Sequence, residues 1–416
     1  MKKVIVAHPG KQHSYRTAKY LNESGRLVAY VTSVYNMPGG LTHILYRLAK
    51  GNIKKKIGSH YLCELPDNVV KIRKEWQGVL ALILPKIPLI RNCYGMWNNH
   101  LNDIFAKDII KLIENESADL VISYDYNSAY LFEELNRRGS NVIKVLDVSI
   151  AIRPYMQEMF KIDYEHTQER ELVSDYPEIW DERNLRRVYR ELENTDFFLV
   201  PSQVVKNSLL YCGVEEKKIR VVPYGADCSK FDFVKREVPT GPIKLIFVGG
   251  INHRKGIHHL LSVVSKFSAD EVDLKLVGSY DVNGSLYKRY NHTDNIHFCG
   301  FATHDILVNM YHDSDVFVLP SLGEGMAMVI LEAMSCGLPV IVSDRTGGND
   351  AITAGEEGIE IEAGNDEQLY DAIRWYIDNR NCLPEMSIKA RKKAELYSWD
   401  AYGEKLNCVV SEILGD

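Results

Sequence analysis

The sequence lacks the paired cysteines that mark a disulfide or zinc framework. Its eight cysteines are scattered singly, with no Cys-x-x-Cys pair. In a chain of 416 residues this pattern is typical of reduced core residues in a cytosolic protein. Lys2 and Lys3 lead directly into the apolar run Val4–Ala7, so we expect no signal peptide and a cytoplasmic location.

Two common phosphate-binding loops are also missing. Neither a Gly-x-Gly-x-x-Gly fingerprint nor a Walker-type loop is present, which argues against a dehydrogenase or an NTPase. The formal net charge of −6 gives no reason to expect nucleic acid as a partner. The composition, with 45% hydrophobic and 25% charged residues, is ordinary for a globular protein with a sizeable core. The length predicts two to three domains.

The most informative stretch runs from residue 316 to residue 350. The apolar runs Val316–Leu319 and 340–342 are short and rich in β-branched residues, which predicts buried parallel strands. Between them we predict a helix that begins near Gly325 or Met326 and ends at Gly337, a residue type that commonly ends helices. A second Gly-rich loop, with Asp350, follows the second strand.

The loop before this helix is suited to bind an anionic ligand. Gly323 and Gly325 flank Glu324, so the backbone can approach a ligand closely. The first amides of the helix have no partner within it, and the helix dipole favours an anion there. These predicted ligand-facing amides belong to Met326, Ala327, Met328 and Val329. Glu332 follows Glu324 by eight positions, ~12 Å along a helix, so the two carboxylates could hold opposite ends of one long ligand.

This stretch resembles the signature of the family-four retaining glycosyltransferases. It carries two glutamates separated by seven residues, followed by Ala-Met and Cys-Gly-Leu-Pro-Val. The resemblance implies an α/β protein of GT-B architecture, with two Rossmann-like domains facing a central cleft. It also implies that Glu324 meets the donor sugar, that Glu332 holds the ribose hydroxyls of the nucleotide, and that the amides between them meet the diphosphate. The alternative is a generic βαβ unit with surface glutamates.

A second loop of the same half carries basic residues. Gly249 and Gly250 follow a predicted strand, and Arg254 and Lys255 precede the next helix. The family usually has an arginine directly after the first glycine of this loop, paired with a lysine before the last one. Lys255 matches that lysine, whereas Gly250 stands in place of the arginine, so Arg254 is the candidate for the missing charge. The loop could equally be an ordinary basic turn.

Other positions are weaker candidates. The resemblance makes Phe301 a candidate contact of the nucleobase. Asp313 and Asp315 resemble an Asp-x-Asp metal motif, but they directly precede a buried strand where the family has a structural aspartate. We therefore expect no metal and no cofactor besides the donor substrate.

The N-terminal half contributes candidates at predicted strand ends. A loop follows the first strand, and Lys11 and His13 in it are candidates for phosphate or acceptor contacts, or else part of a helix-capping loop. Asp147 ends a later strand, where ligand-facing residues lie in open α/β sheets. The resemblance implies that such a residue approaches the donor sugar, and Arg153 and His166 are further candidates after Asp147.

The predicted organisation divides the chain into two domains. The acceptor-side domain covers residues 1–228, a linker residues 229–242, and the nucleotide-sugar domain residues 243–397. A last helix, 398–416, crosses back to the first domain in this family.

One segment, residues 47–91, is unusually basic and contains an apolar run at 79–90, too short to span a bilayer. It predicts either peripheral contact with anionic lipid at the inner face of the membrane or an ordinary helix pair with a buried apolar face.

The function expected from the resemblance is metal-independent glycosyl transfer with retention of configuration. The donor would be a UDP- or GDP-linked sugar, and the acceptor a glycan or lipid-linked molecule, as in surface polysaccharide synthesis. Two alternatives remain: an epimerase that acts on nucleotide sugars with the same fold, and a non-catalytic subunit that keeps the fold. The sequence leaves open the base and sugar of the donor, the acceptor, the linkage formed and the oligomeric state.

Overall fold

The structure is a computed structural model that describes residues 2–87, 94–167 and 176–416. The end of the basic and apolar segment predicted from the sequence, residues 88–91, lies outside these ranges.

The first half of the chain forms a parallel sheet of seven strands in the order β3-β2-β1-β4-β5-β6-β7. The strands are β1 (Val4–Ala7), β2 (Leu27–Thr32), β3 (Val70–Ile72), β4 (Leu120–Tyr124), β5 (Ile143–Asp147), β6 (Phe197–Val200) and β7 (Ile219–Val221).

The second half forms a parallel sheet of six strands in the order β10-β9-β8-β11-β12-β13. The strands are β8 (Ile243–Val248), β9 (Val272–Val277), β10 (Ile296–Gly300), β11 (Val316–Leu319), β12 (Val340–Ser343) and β13 (Gly358–Ile361). The predicted α/β class and two-sheet architecture are confirmed.

Helices connect the strands and cover both sheets. In the first half they are α1 (Ser14–Glu23), α2 (Leu41–Leu48), α3 (Gly51–Gly58), α4 (Glu75–Ile83), α5 (Tyr94–Glu116), α6 (Ala129–Arg137), α7 (Arg153–Thr167), α8 (Pro177–Trp180), α9 (Glu182–Glu193) and α10 (Gln203–Tyr211). In the second half they are α11 (Ile257–Val264), α12 (Ser285–Tyr290), α13 (His304–His312), α14 (Met328–Ser335), α15 (Asp366–Asp378), α16 (Leu383–Glu395) and α17 (Trp399–Leu414).

The central strands are apolar because helices cover both of their faces. Every residue of β1, β4, β11 and β12 is buried. Continuous apolar runs of this kind are typical of interior parallel strands, whereas a sheet exposed on one face would show alternation.

The strand orders place one crevice in each sheet. In the first sheet the order reverses between β1 and β4, and in the second between β8 and β11. Neighbouring loops leave the sheet in opposite directions at such a point, so a ligand can bind beyond the carboxyl ends of the strands. In the second sheet this point lies between the loops after β8 and β11, which the sequence analysis predicted to bind a ligand.

The last helix, α17, packs against α1 of the first half. The Tyr402 and Thr17 hydroxyls are 2.7 Å apart, and the Tyr20 hydroxyl donates to Asp400 at 2.9 Å. Gly403 lies against the Tyr20 ring, where a Cβ would overlap the ring carbons. The first and last helices of the chain therefore pack against each other.

Helices α2, α3 and α4 leave apolar side chains exposed. Leu48 is 75% exposed and Ile53 67%, and Trp76, Leu82 and Ile83 are also exposed. These helices line an apolar groove of about 430 Å³. No helix in the described part of the chain is both long and apolar enough to cross a membrane.

Asp315, the second residue of the Asp-x-Asp pair, joins two strands of the second sheet. Its carboxylate accepts a hydrogen bond from the Lys244 amide at 2.8 Å, and its own amide donates to the Lys244 carbonyl at 2.8 Å. These bonds hold the start of β11 against β8.

Candidate donor site between the two sheets

The loops after β8 and β11 contact each other directly. The Leu322 amide donates to the Arg254 carbonyl at 2.8 Å, and the Ser321 hydroxyl oxygen lies 3.1 Å from the same carbonyl oxygen. Gly256 follows in the left-handed region, where a Cβ would overlap the Pro320 carbonyl oxygen. Only glycine allows so close an approach at that backbone conformation, so the two loops form one surface.

Glu324 lies between the two cations of the neighbouring loop. Its Oε1 is 2.5 Å from Arg254 Nη1 and 2.7 Å from Lys255 Nζ, and it accepts a hydrogen bond from the Ser321 hydroxyl at 2.9 Å. The residue is only 8% exposed. Burial by itself would raise the pKa of Glu324, but the charges of Lys255 and Arg254 outweigh it and lower the pKa. The carboxylate is therefore ionised and pairs with two cations.

Arg254 is held by several further contacts. Its Nη1 donates to the Gly323 carbonyl at 2.7 Å, and its guanidinium lies 5.6 Å from the centre of the Tyr176 ring. Burial would lower the pKa of Arg254, but the charge of Glu324 raises it instead. The structure thus places this arginine, which follows Gly250 by four positions, beside the predicted donor-sugar glutamate.

The glycines of the loop after β8 permit close packing around Lys255. A Cβ on Gly249 would lie 3.6 Å from Lys255 Cε, and one on Gly250 would lie 3.0 Å from the Asn252 amide nitrogen. The Asn252 side chain accepts a hydrogen bond from the Lys255 amide at 3.3 Å. This turn fixes the backbone of Lys255 while its ammonium group reaches Glu324.

The predicted start of the helix after Glu324 is wrong by two to three residues. The helix α14 begins at Met328, with Ala327 as its N-cap. The Ala327 amide donates to the Thr346 carbonyl at 3.1 Å, so it does not face a ligand. The sequence showed no signal for this bond, because its partner lies in the loop after β12. The amides at the helix start remain candidates, at Met328 and Val329.

Gly325 brings this loop against the first half of the chain. A Cβ at this position would overlap the Ser149 carbonyl oxygen. The Ser202 hydroxyl donates to the Gly325 carbonyl at 2.6 Å, and the Ala151 amide donates to the Glu324 carbonyl at 3.3 Å. The glycine is therefore required for contact between the two halves.

Asp350, from the loop after β12, also contacts the first half. Its carboxylate accepts a hydrogen bond from the Gln203 amide at 2.6 Å, and its carbonyl accepts one from the Tyr397 hydroxyl at 2.7 Å. Burial raises the pKa of Asp350 and the Gln203 hydrogen bond opposes this. The carboxylate thus joins the second half of the chain to the start of α10.

Two candidates of the first half form a pair. His13 Nε2 lies 2.8 Å from Asp147 Oδ2, although the two residues are 134 positions apart. Asp147 is buried, and the His13 ring is 4.3 Å from the Tyr224 ring. The loop after β1 and the end of β5 therefore meet at one point.

A cleft of about 660 Å³ lies between these two groups of residues. Its walls come from both halves of the chain and include six predicted site residues, whereas Asp147, Arg254 and Lys255 contact these residues from outside the lining. The lining residues are Lys11, Gln12, His13, Tyr15, Arg16, Tyr61, Leu62, Ser149, Ile150, Tyr224, Glu324, Gly325, Met326, Met328 and Trp399.

Other candidates lie outside that lining. Glu332 is half-buried on α14, and burial raises its pKa while His304 opposes the shift. Phe301, just after β10, is 82% exposed. Arg153 stacks on Tyr126 at 4.0 Å, and His166 Nδ1 lies 2.8 Å from the Ile162 carbonyl of its own helix.

The sequence analysis missed several residues around the cleft. Asp125 directly follows β4. Burial raises the pKa of Asp125 to about 7. The charge of Asp147 adds to this rise, and the hydrogen bond from the Ser149 hydroxyl opposes it. Because Asp125 directly follows a strand, it could have been predicted to face a ligand. Trp399, the first residue of α17, carried no such signal, since it reaches the cleft through the packing of that helix, whereas Tyr224 follows β7 and stacks on the Trp399 ring.

Comparisons with known proteins relate the second half of the chain to a known family. The family of glycosyl transferases group 1 matches residues 229–394, the part that carries Arg254, Lys255, Glu324 and Glu332. The sulfoquinovosyl transferase SQD2 of Arabidopsis thaliana is 28% identical over 58% of this chain and 49% of its own length. The chain matches about half the length of its curated relatives.

Solved structures match the whole chain. Sucrose-phosphate synthase from Thermosynechococcus elongatus aligns over 100% of both chains with a TM-score of 0.65 and 19% identity. HepE of Anabaena, solved in complex with UDP, aligns over 99% of this chain and 100% of its own with a TM-score of 0.63 and 14% identity. At these identities the likeness concerns the fold. Residues 229–394 thus match the group 1 glycosyl transferases, in a chain that has the two-sheet GT-B fold.

Proposed function

We propose that this protein transfers a sugar from a nucleoside-diphosphate sugar to a glycan or lipid-linked acceptor, with retention of anomeric configuration. One observation carries the proposal: Arg254 and Lys255 meet Glu324 at the switch point of the second sheet, beside the start of α14 and the cleft. The site combines two cations, free helix amides and a buried carboxylate, which suits a diphosphate joined to a sugar.

In the proposed reaction the leaving group is a nucleoside diphosphate whose negative charge grows in the transition state. Lys255, Arg254 and the amides of Met328 and Val329 would stabilise that charge without a metal. Both cations pair with Glu324, so a diphosphate that binds them would compete with that carboxylate. Glu324 would then be free to accept hydrogen bonds from the donor sugar.

The opposite wall would hold the reacting end of the substrates. His13 and Asp147 form a hydrogen-bonded pair there, and Lys11 lies in the same cleft. Burial lowers the pKa of Lys11, with Arg16 adding to the shift. We assign Lys11 and His13 to acceptor or phosphate contacts and Asp147 to orienting His13. No covalent nucleophile is assigned, in keeping with the family resemblance.

Glu332 and Phe301 complete the proposed donor site. Glu332 lies on α14, one to two turns beyond the helix start, so a nucleotide whose phosphates meet the amides could extend its ribose along that helix. Phe301 follows β10 and offers an exposed ring for the base. The relative HepE was solved with UDP and with UDP-glucose, which makes UDP-linked sugars the first donors to try.

The proposed acceptor side involves the groove lined by α2, α3 and α4. Exposed apolar residues and the lysines 54, 55 and 56 lie together on these helices, a combination suited to an anionic membrane surface. His60 lines this groove, and Tyr61 and Leu62, the next two residues, line the cleft. A lipid-linked acceptor could thus reach the cleft from the cytoplasmic face of a membrane, as surface polysaccharide synthesis requires.

The first test is calorimetric binding of UDP and of GDP, each with a chelator present, to the wild type and to Glu332→Ala. We expect one nucleotide to bind and its affinity to fall more than tenfold in the variant, a loss of about 1.4 kcal/mol. Glu404→Ala, at an exposed glutamate of α17, serves as the control and should bind like the wild type. Equal affinities in all three proteins would contradict the ribose assignment.

Product analysis separates the remaining functions. Incubation with a donor sugar and membrane lipid extract should give a glycosylated lipid or glycan with the anomeric configuration of the donor. A changed sugar nucleotide formed from the donor alone would indicate an epimerase. Failure of every nucleotide sugar to bind would indicate a subunit that has kept the fold without the activity.

A further inference from the structure

A cluster of buried metal-ligating side chains joins α7 of the first half to α11 of the second. Asp163 Oδ1 lies 2.6 Å from His259 Nε2, and Asp163 Oδ2 lies 3.0 Å from His258 Nε2. In the described part of the chain this is the one group of three or more histidine, cysteine or acidic residues whose ligand atoms all lie within 4.8 Å of one another. None of the three lines the cleft.

The surroundings of His259 require positive charge at this point. Its Nε2 faces Asp163 and its Nδ1 lies 2.6 Å from Asp366 Oδ1, so the ring lies between two carboxylates. A neutral imidazole carries one N–H and can donate to only one of them. The other nitrogen would then direct a lone pair at a carboxylate oxygen, which is repulsive unless a proton or a metal ion lies between.

The second histidine allows a metal ion in place of a proton. The His258 and His259 rings are 4.2 Å apart, so two imidazolium ions would repel each other in a buried place. One imidazolium would leave the two carboxylates with a net negative charge. A single divalent cation, bound by two neutral imidazoles and Asp163, balances both carboxylates.

The cluster also has the outer contact of a metal site. Gly364 lies beside it, where an added Cβ would make ordinary van der Waals contact at 3.5 Å from Asp163 Oδ1 and 3.7 Å from His259 Nε2. His259 Nδ1 lies 2.6 Å from Asp366 Oδ1, so a neutral ring protonated on Nδ1 would donate to Asp366 and direct its Nε2 lone pair toward a metal. Metal-binding histidines typically make such a bond to a carboxylate.

We propose that Asp163, His258 and His259 bind one divalent transition-metal ion that ties α7 to α11. Two imidazoles and a carboxylate are ligands preferred by Zn²⁺, whereas Mg²⁺ prefers oxygen ligands. Because α11 directly follows Arg254 and Lys255, the ion fixes the basic loop relative to the first half of the chain. Its role is positional and it takes no part in the transfer.

The test measures zinc on the full chain, prepared without a histidine tag. The wild type, dialysed against a chelator and then against buffered Zn²⁺, should retain about one zinc per chain by elemental analysis and should melt at a higher temperature with zinc than without. His259→Ala and Asp163→Asn should lose both effects. His297→Ala, at an exposed histidine paired with Asp273, is the matched control and should keep them.

Two results would overturn the proposal. One is a wild type that retains no more zinc than Asp163→Asn; the other is an equal rise in melting temperature in all variants. If circular dichroism shows that Asp163→Asn and His259→Ala do not fold, Asp366→Asn provides the test at a partly exposed position. Its zinc affinity should be 10- to 100-fold weaker than that of the wild type. An unchanged affinity would contradict the site.

Discussion

At the scale of single residues, Glu324 determines how the two basic side chains of the site are held. Its carboxylate is buried and ionised, and it contacts the ammonium of Lys255 and the guanidinium of Arg254 at once. A substitution that removes one of these three charged side chains leaves a buried charge without its full counter-charge, which destabilises the folded protein. Substitutions in this cluster therefore require a folding control in every experiment.

The first prediction concerns Lys255. In Lys255→Ala we expect the affinity for the nucleoside diphosphate to fall about tenfold or more, a loss of at least about 1.4 kcal/mol, because one cation facing the phosphates is gone. Calorimetric titration measures this directly. Lys266→Ala removes an exposed lysine of the same half and should bind the nucleotide as the wild type does. If the two variants bind equally well, the phosphates lie elsewhere.

A second prediction at this scale concerns stability in acid. His8 is buried, and burial lowers its pKa from 6.5 to about 4. The hydrogen bond with the Gly10 amide opposes this decrease in pKa, and the charge of His13 adds to it. The unfolded chain therefore binds a proton below pH 6.5 that the folded chain does not bind until about pH 4. Stability conferred by neutral His8 is complete above pH 6.5 and decreases as the pH falls toward 4.

Between pH 7.5 and pH 5 this residue alone should lower the free energy of unfolding by about 2 kcal/mol. Urea unfolding at both pH values, on the wild type and on His8→Gln, checks this expectation. The variant should lose less stability than the wild type over that interval. An equal loss in the two proteins would show that His8 does not contribute.

At the scale of elements, the loop before α14 connects the two halves of the chain. It is hydrogen-bonded to the loop after β8, to the loop after β12 and to Ala151 and Ser202 of the first half. Its conformation is therefore fixed by partners distant in sequence. This explains why the helix start was predicted too early, whereas strands β11 and β12, which depend on local apolar runs, were predicted closely.

The third prediction tests this connection. In Gly325→Ala the new methyl group would overlap the Ser149 carbonyl, so the loop and the first half must separate. We expect a loss of about 2 kcal/mol of stability. We also expect weaker nucleotide binding, because Glu324 and the start of α14 move with the loop.

The matched control is Gly241→Ala, at a glycine whose added Cβ would meet no heavy atom within 4 Å. This variant should unfold within about 0.5 kcal/mol of the wild type. Chemical denaturation and calorimetry on both variants give the comparison. A Gly325→Ala protein as stable as the control would show that the close contact with Ser149 is not required.

At the scale of the whole molecule, the sequence predicted the architecture better than the contacts between distant residues. Apolar runs and glycine loops predicted parallel strands and ligand-binding loops, and the family resemblance implied the architecture of two facing domains. The pairing of His13 with Asp147 was not predictable, because it depends on how β1 and β5 are placed in one sheet. The cluster of Asp163 with His258 and His259 joins residues about 95 positions apart, and no local spacing marks it.

The fourth prediction concerns membrane contact. Vesicles that contain anionic lipid should bind the wild type at low salt and release it at high salt, because each lysine near the surface contributes about 1 kcal/mol. The double variant Lys54→Glu and Lys55→Glu should bind more than tenfold more weakly in sedimentation assays. Lys111→Glu with Lys392→Glu changes the net charge equally at exposed positions elsewhere and should bind as the wild type does. Equal weakening of both variants would contradict a specific membrane face.

The central claim is that the donor binds at the switch point of the second sheet. The most direct measurement is an experimental structure of the protein with UDP or GDP, whichever binds. The account predicts phosphate oxygens within hydrogen-bond distance of Lys255 or Arg254 and of the amides at the start of α14, with the ribose directed toward Glu332. A nucleotide bound to the first sheet, or one without contact to residues 254–255 and 328–329, would contradict it.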